Sequence, residues 1–305
     1  MRFRFLKRLS LSLAALFLLT TSCLALEFRK HGPSAVTARV QSDVVYSHAA
    51  GQDLKLDLYF PTNAAGARLP VVMYVHGGGW QLGNKEMLGL MPGPVELLRR
   101  NYLVVSADYR LAPDNKFPAM LEDAKCAVRF LRAHAKEFNL DPNRIGVMGD
   151  SAGGHLVALL GLTDASAGFE GAGWTNESSR VQAVVDLYGP SDLLSGPTNN
   201  QSSIKIIKAA FGATNALDPV LVRGSPVTYV TSNAPPFLIL HGNRDQLVSL
   251  QQSVELNDRL KAVGADSTLV VITNFAHGYT PFWLKSSPTT AELSRRIADF
   301  FDKHL

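Results

Sequence analysis

Gly149-Asp150-Ser151-Ala152-Gly153-Gly154 follows the short apolar run Arg144-Ile145-Gly146-Val147-Met148 and precedes His155-Leu156-Val157-Ala158-Leu159-Leu160. The first flank reads as a buried strand and the second as the start of a buried helix. A strand that ends in Gly-x-Ser-x-Gly and turns at once into a helix has the pattern of a nucleophile elbow. The chemistry accounts for the spacing. A serine on so sharp a turn needs small residues two before and two after it. Gly149 and Gly153 leave room for close strand–helix packing and for backbone angles that a Cβ penalises. The turn lifts the Ser151 hydroxyl to the top of the sheet. It also aims the first N–H groups of the new helix at the same spot, which suits a developing negative charge. A Gly-rich turn with a bystander serine is the plain alternative, and the rest of the chain argues against it.

Working outward, strands alternate with helices. Val44-Val45-Tyr46 and Leu54-Lys55-Leu56-Asp57-Leu58-Tyr59 read as an antiparallel hairpin at a sheet edge. Pro70 to Val75, Leu103 to Ala107, Val181 to Tyr188, Pro236 to Leu240 and Ser267 to Ile272 read as further strands. Leu121, Ala124, Val128, Leu131 and Ala135 form one apolar stripe, which predicts a helix from Pro118 to Phe138. Glu96 to Arg100 closes another helix, and Val254 to Val263 and Thr289 to Phe301 read as helical. Gly189 to Ala216 is polar, irregular and longer than most loops, so it reads as a small cap. The alternation predicts an α/β class with a mainly parallel sheet and helices on both faces.

Such a sheet carries its working groups at the carboxyl ends of its strands. Four strand ends here bear candidates: His76-Gly77-Gly78-Gly79, Ser151, Asp245 and His277. The chain order Ser, Asp, His is that of the α/β-hydrolases. A serine hydroxyl needs a base, and the base needs an orienting carboxylate. The assignment is Ser151 as nucleophile, His277 as general base and acid, and Asp245 as the group that orients His277. The backbone N–H groups of Gly77, Gly78 and Ala152 are assigned to the oxyanion. Asp186 and Asp192 are rival orienters, but Asp245 follows the penultimate strand and precedes the His277 strand. His241 and His155 read as structural, and Asp150 as shaping the turn. Trp80 and Tyr279 are candidates for the substrate pocket, with packing as the equal alternative.

The amino terminus is a separate matter. A basic start (Arg2, Arg4, Lys7, Arg8), an apolar run from Leu9 to Leu19 and the small residues before Ala25 have the order of a secretory signal peptide. The run is too short for a spanning helix, which needs about 20 residues. The expected division is therefore a leader over 1–25 and one α/β domain over 26–305, with a secreted or periplasmic location. Lipidation at Cys23 is the second option, ranked below simple cleavage because Thr20 stands where a lipobox usually has Leu. The 305-residue chain has 30 Lys+Arg against 26 Asp+Glu, and the four leader cations account for the whole excess. Charge therefore gives no argument for nucleic acid. Without the leader only Cys126 remains, within an apolar helix pattern, as a buried small hydrophobe. No metal-spaced cluster or phosphate loop appears, so no cofactor is expected.

His76-Gly77-Gly78-Gly79-Trp80, Asp108-Tyr109-Arg110-Leu111-Ala112-Pro113, Phe117-Pro118-Ala119, the Gly149–Gly154 stretch, His241-Gly242-x-x-Asp245 and His277-Gly278 together resemble the hormone-sensitive-lipase-like carboxylesterases. The run from Ala133-His134 through Asp141-Pro142-x-Arg144-Ile145 to Gly154-His155-Leu156 is similar to the bacterial feruloyl-esterase-like branch. The resemblance spans about residues 43 to 302. It implies the α/β-hydrolase fold and hydrolysis of carboxylic esters, with feruloyl, acetyl or small aryl esters, free or on polysaccharide, as candidate substrates. Two other readings keep the same residues: an amidase, formamidase or exopeptidase on the same three side chains, and an inactive binding protein on this fold. The leader argues against a cytosolic formamidase. The presence of all three side chains argues against an inactive scaffold.

Overall fold

Apolar β-branched runs build the sheet and amphipathic stretches cover it. The computed structural model describes residues 38–62, 66–195, 201–278 and 284–305. The leader, Cys23 and Tyr279 lie outside the described residues. The strands are Arg39–Ala49 (β1), Gln52–Phe60 (β2), Leu69–Val75 (β3), Leu103–Ala107 (β4), Leu140–Asp150 (β5), Ala183–Leu187 (β6), Phe237–Gly242 (β7) and Ser267–Ile272 (β8). They form one eight-stranded sheet in the order β1-β2-β4-β3-β5-β6-β7-β8. β1, β2 and β4 pair antiparallel, and every pairing from β4 to β8 is parallel.

The helices are Pro94–Arg99 (α1), Ala119–Ala133 (α2), Ala152–Leu162 (α3), Gln201–Phe211 (α4), Pro219–Arg223 (α5), Leu250–Ala262 (α6) and Thr290–His304 (α7). Successive side chains of a strand point to opposite faces, and β3 shows the consequence. Val71, Met73 and Val75 join the core that also takes Leu121, Val128, Leu156 and Leu260 from α2, α3 and α6. Val72 and Tyr74 join a second core with Leu97 of α1 and Ile297 and Phe301 of α7. Both faces are thus covered, as a parallel sheet requires. Among the described residues no helix is long and apolar enough to cross a membrane.

Two expectations about length and regularity are corrected. α2 stops at Ala133, not Phe138. The Phe130 carbonyl there receives both the N–H and Nδ1 of His134, and the chain turns through Asn139 at φ +51° into β5. The segment from Gly189 to Ala216 is not wholly irregular, because it contains α4. Ser203, Ile207, Ala210 and Phe211 of that helix are buried at steps of three and four. Cys126 is free and buried, in keeping with its reading as a small hydrophobe.

Candidate active site

The loops after β3, β5, β7 and β8 meet at one end of the sheet. After β5 the chain turns through Ser151 at φ +52° and ψ −117°, and its N–H donates to the Leu187 carbonyl of neighbouring β6 at 2.8 Å. Such a conformation is strained for a residue with a Cβ, by about 1–3 kcal/mol. The crowding around it shows why glycines flank the serine. A Cβ on Gly153 would stand 2.0 Å from the Val75 carbonyl oxygen, and one on Gly149 would stand 2.5 Å from that of Gly153.

The structure brings Ser151, His277 and Asp245 into one hydrogen-bonded line. His277 Nε2 lies 2.7 Å from Ser151 Oγ, and His277 Nδ1 lies 2.7 Å from Asp245 Oδ2. The carboxylate of Asp245 is itself held. Its Oδ1 accepts the N–H groups of Leu247 at 2.8 Å and Val248 at 2.9 Å, and Oδ2 also lies 3.4 Å from His241 Nε2. Burial alone would raise the Asp245 pKa. The hydrogen bonds from His241 and His277, the imidazolium charge and the Val248 N–H outweigh it and hold the carboxyl well below the usual range. A permanent anion at Nδ1 keeps the proton on that nitrogen and leaves the Nε2 lone pair facing the serine. Tyr188 packs its ring edge-on against His277 at 4.9 Å, fixing the imidazole from the β6 side.

The oxyanion assignment changes at one residue. The Gly77 N–H donates to Asp150 Oδ1 at 2.9 Å and is therefore committed. A Cβ on Gly77 would stand 2.5 Å from Asp150 Oδ2, so the close approach is built into the loop. Gly78 and Gly79, with φ +111° and +62°, carry the N–H groups that donate to no other described residue, as does Ala152 at the start of α3. The next glycine along, Gly79, takes the place given to Gly77. The loop is anchored from below by His76. Its Nδ1 donates to the Gly77 carbonyl at 2.7 Å, its ring stacks on Tyr109 at 4.2 Å, and the Tyr109 hydroxyl donates to the His76 carbonyl. Burial pulls the His76 pKa down to about 4, against the opposing pull of the Gly77 carbonyl.

Trp80 does not line an open pocket. It is 3% exposed, donates Nε1 to His155 Nδ1 at 3.3 Å and meets Phe211 of α4 edge-on at 5.2 Å. Its backbone φ of +60° swings the ring down into the core. His155 is buried as expected, with Nε2 donating to the Gly224 carbonyl at 2.7 Å. His241 is structural too: Ser253 Oγ sits 2.6 Å from Nδ1, and Nε2 donates to the Val248 carbonyl at 3.0 Å. Asp186 is buried with Oδ1 on the Gly189 N–H, and burial pushes its pKa up to about 6. Asp192 accepts the N–H groups of Leu194 and Ser195, so neither rival carboxylate partners His277. Among the described residues no group of three or more His, Cys, Asp or Glu side chains is placed to hold a metal ion.

Comparison with known proteins agrees with the fold. The family model described as BD-FAE matches residues 56–260. Esterase LipC of Mycobacterium tuberculosis is 33% identical over 238 residues, which is 77% of this chain and 58% of that protein. An isoprenylcysteine alpha-carbonyl methylesterase of Arabidopsis thaliana is 30% identical over 246 residues, 78% of this chain and 56% of that protein. The chain thus spans less than two thirds of the length of these curated relatives. Among solved structures, a truncated carbohydrate esterase from gut microbiota superposes with a TM-score of 0.76 at 27% identity, covering 90% of this chain and 99% of that one. The Est2 esterase of Thermogutta terrifontis superposes with a TM-score of 0.69 at 26% identity, covering 87% and 91%.

Proposed function

The chain belongs to the BD-FAE family, among the hormone-sensitive-lipase-like carboxylesterases of α/β-hydrolase fold, and from that premise we propose that it is a serine carboxylesterase acting on short-chain esters through an acyl-enzyme. The observation that carries the reading is the line Ser151 Oγ, His277 Nε2, His277 Nδ1, Asp245 Oδ2, each link 2.7 Å, set beside the uncommitted N–H groups of Gly78, Gly79 and Ala152.

In the proposed reaction Ser151 Oγ attacks the ester carbonyl carbon while His277 Nε2 takes the hydroxyl proton. The carbonyl oxygen becomes an oxyanion held by the N–H groups of Gly78, Gly79 and Ala152. Each such donor supplies about 3–4 kcal/mol of transition-state stabilisation. Asp245 steadies the imidazolium that forms. The intermediate collapses, the C–O bond to the alcohol breaks, and His277 returns the proton to the departing oxygen. Water then attacks the acyl-enzyme, with His277 again as base, and releases the acid and free Ser151.

Relatives support a small acyl group and a carbohydrate alcohol. The Thermogutta esterase has been captured with propionate and with butyrate, and one structural neighbour is a carbohydrate esterase by title. The basic, apolar, small-residue order of residues 1–25 supports an exported enzyme. The test uses p-nitrophenyl acetate with the wild type and Ser151→Ala. Loss of the nucleophile should lower kcat by about 10⁵–10⁶-fold. The Thermogutta relative is phosphonylated by sarin, so a fluorophosphonate should label the wild type and not the variant. Undiminished turnover in folded Ser151→Ala rejects the assignment.

A further inference from the structure

α4 is tied at two points to the loops on either side of the nucleophile strand. Near its start, Ser203 Oγ donates to the Leu247 carbonyl at 3.3 Å, in the turn that carries Asp245. Further along, the Ile206 carbonyl accepts from Gln81 Nε2 at 3.1 Å, behind the oxyanion loop. The end of the helix is sewn to the core: Phe117 N–H donates to the Ala210 carbonyl at 2.9 Å, and Phe211 packs on Phe117 and Trp80. One anchor therefore sits above β7 and the other above β3. Ser151, at the end of β5, lies between them in the strand order.

Within that span Ile206 rests on Gly79. A Cβ at Gly79 would stand 2.9 Å from Ile206 Cγ2, so the two touch with no room to spare. Ile206 is still 38% exposed, so part of its apolar surface remains open. Trp80, His155 and Phe211 close the floor under Gly79 with three mutually edge-on rings.

An ester bound for attack has its carbonyl oxygen at the Gly78, Gly79 and Ala152 N–H groups. Its alcohol oxygen must face His277 Nε2 to collect the proton. The acyl chain takes the remaining direction, away from the β8 side and toward β3, where Ile206 stands. Resting on the esterase reading above, we infer that Ile206 ends the acyl subsite and makes this chain selective for acetyl and propionyl esters. A feruloyl or long alkyl acyl group meets the Ile206 side chain before its carbonyl reaches the oxyanion donors. A hydrophobic wall discriminates by about 10–200-fold per methylene group.

The experiment compares kcat/KM for p-nitrophenyl acetate, butyrate and hexanoate in the wild type, Ile206→Ala and Ile206→Val. The wild type should favour acetate over hexanoate by at least about 10-fold. Ile206→Ala should raise the hexanoate-to-acetate ratio by about 10-fold, with Ile206→Val between the two. If the alanine variant does not fold, the valine variant carries the same comparison with a smaller void. A wild type that turns over hexanoate as well as acetate overturns the inference, as does a ratio unmoved in a folded variant. Both outcomes leave the esterase reading intact. A wild type that neither hydrolyses acetate nor takes the phosphonate label defeats both.

Discussion

At Asp150 a single carboxylate oxygen ties the nucleophile turn to the oxyanion loop. Oδ1 accepts the Tyr74 hydroxyl at 2.7 Å and the Gly77 N–H at 2.9 Å, all three groups buried. Deleting the side chain strands a buried hydroxyl and a buried N–H, each worth about 1–3 kcal/mol when left without a partner. Asp150→Ala should therefore lower stability by about 2–5 kcal/mol and loosen the loop that carries Gly78 and Gly79. Asp150→Asn keeps an oxygen in the same place and should lose about 1 kcal/mol. Urea denaturation of the pair checks the ordering, and equal losses would deny the two hydrogen bonds their role. This contact also explains what could be read at the site beforehand. Ser151, Asp245 and His277 each follow a recognisable strand within a short motif, so their convergence was legible. The choice among three consecutive glycine N–H groups was not. It is decided by the carboxylate of Asp150, 73 residues away in the chain. Trp80 was equally undecidable, because only its left-handed backbone sends the ring inward rather than toward the substrate.

The elements follow the same division between what a local pattern shows and what tertiary contact imposes. Strands β3 to β8 were legible because apolar β-branched runs bounded by polar turns have few other uses. The apolar stripe of α2 was legible as well, but its other face was not. Lys125 and Arg129 are fully buried there, and both pair with Glu170, at 2.8 and 2.9 Å, from the segment after α3. Burial lowers the Lys125 pKa, with the hydrogen bond to Glu170 opposing it. Charges inside a helix pattern look solvent-facing until a distant carboxylate arrives to pair them. Removing that carboxylate leaves two buried cations with only carbonyls and the Ser179 hydroxyl as acceptors. Glu170→Ala should lose about 3 kcal/mol, the low end of the range for breaking a buried pair, because Glu170 is 31% exposed. A denaturation midpoint within error of the wild type would mean that the carbonyls of Thr163, Ala172 and Gly173 and the Ser179 hydroxyl suffice. α4 escaped notice for a related reason. Its serines, its three isoleucines and Phe211 are only middling helix formers by themselves, and the helix is held by Phe211 and its two anchors.

For the whole molecule, the buried histidines that build the site also set how it tolerates acid. Burial pulls His76 and His155 down to about 4, from 6.5 in the unfolded chain, each against one opposing carbonyl acceptor. Between those values the unfolded chain binds protons that the folded one refuses, so stability is lost as pH falls from 6.5 to 4. Each histidine contributes a loss on the order of 3 kcal/mol across that window. Asp186 acts with the opposite sign. Burial raises it to about 6 from 3.8, so between those values the folded state binds the extra proton and gains on the order of 3 kcal/mol as pH falls. The two histidines outweigh the one carboxyl, leaving a net loss of about 3 kcal/mol by pH 4 from these groups. Two variants separate the contributions. His155→Gln offers an N–H for the Gly224 carbonyl and an acceptor for Trp80 Nε1 but cannot titrate, so the loss at His76 and the gain at Asp186 nearly cancel and its stability should stay almost flat between pH 6.5 and 4. Asp186→Asn keeps an oxygen for the Gly189 N–H and loses the compensating proton, so its stability should fall more steeply below pH 6. Urea midpoints taken from pH 7.5 to 4 read both slopes. Parallel curves for all three proteins would show that the acid limit is set by groups other than these.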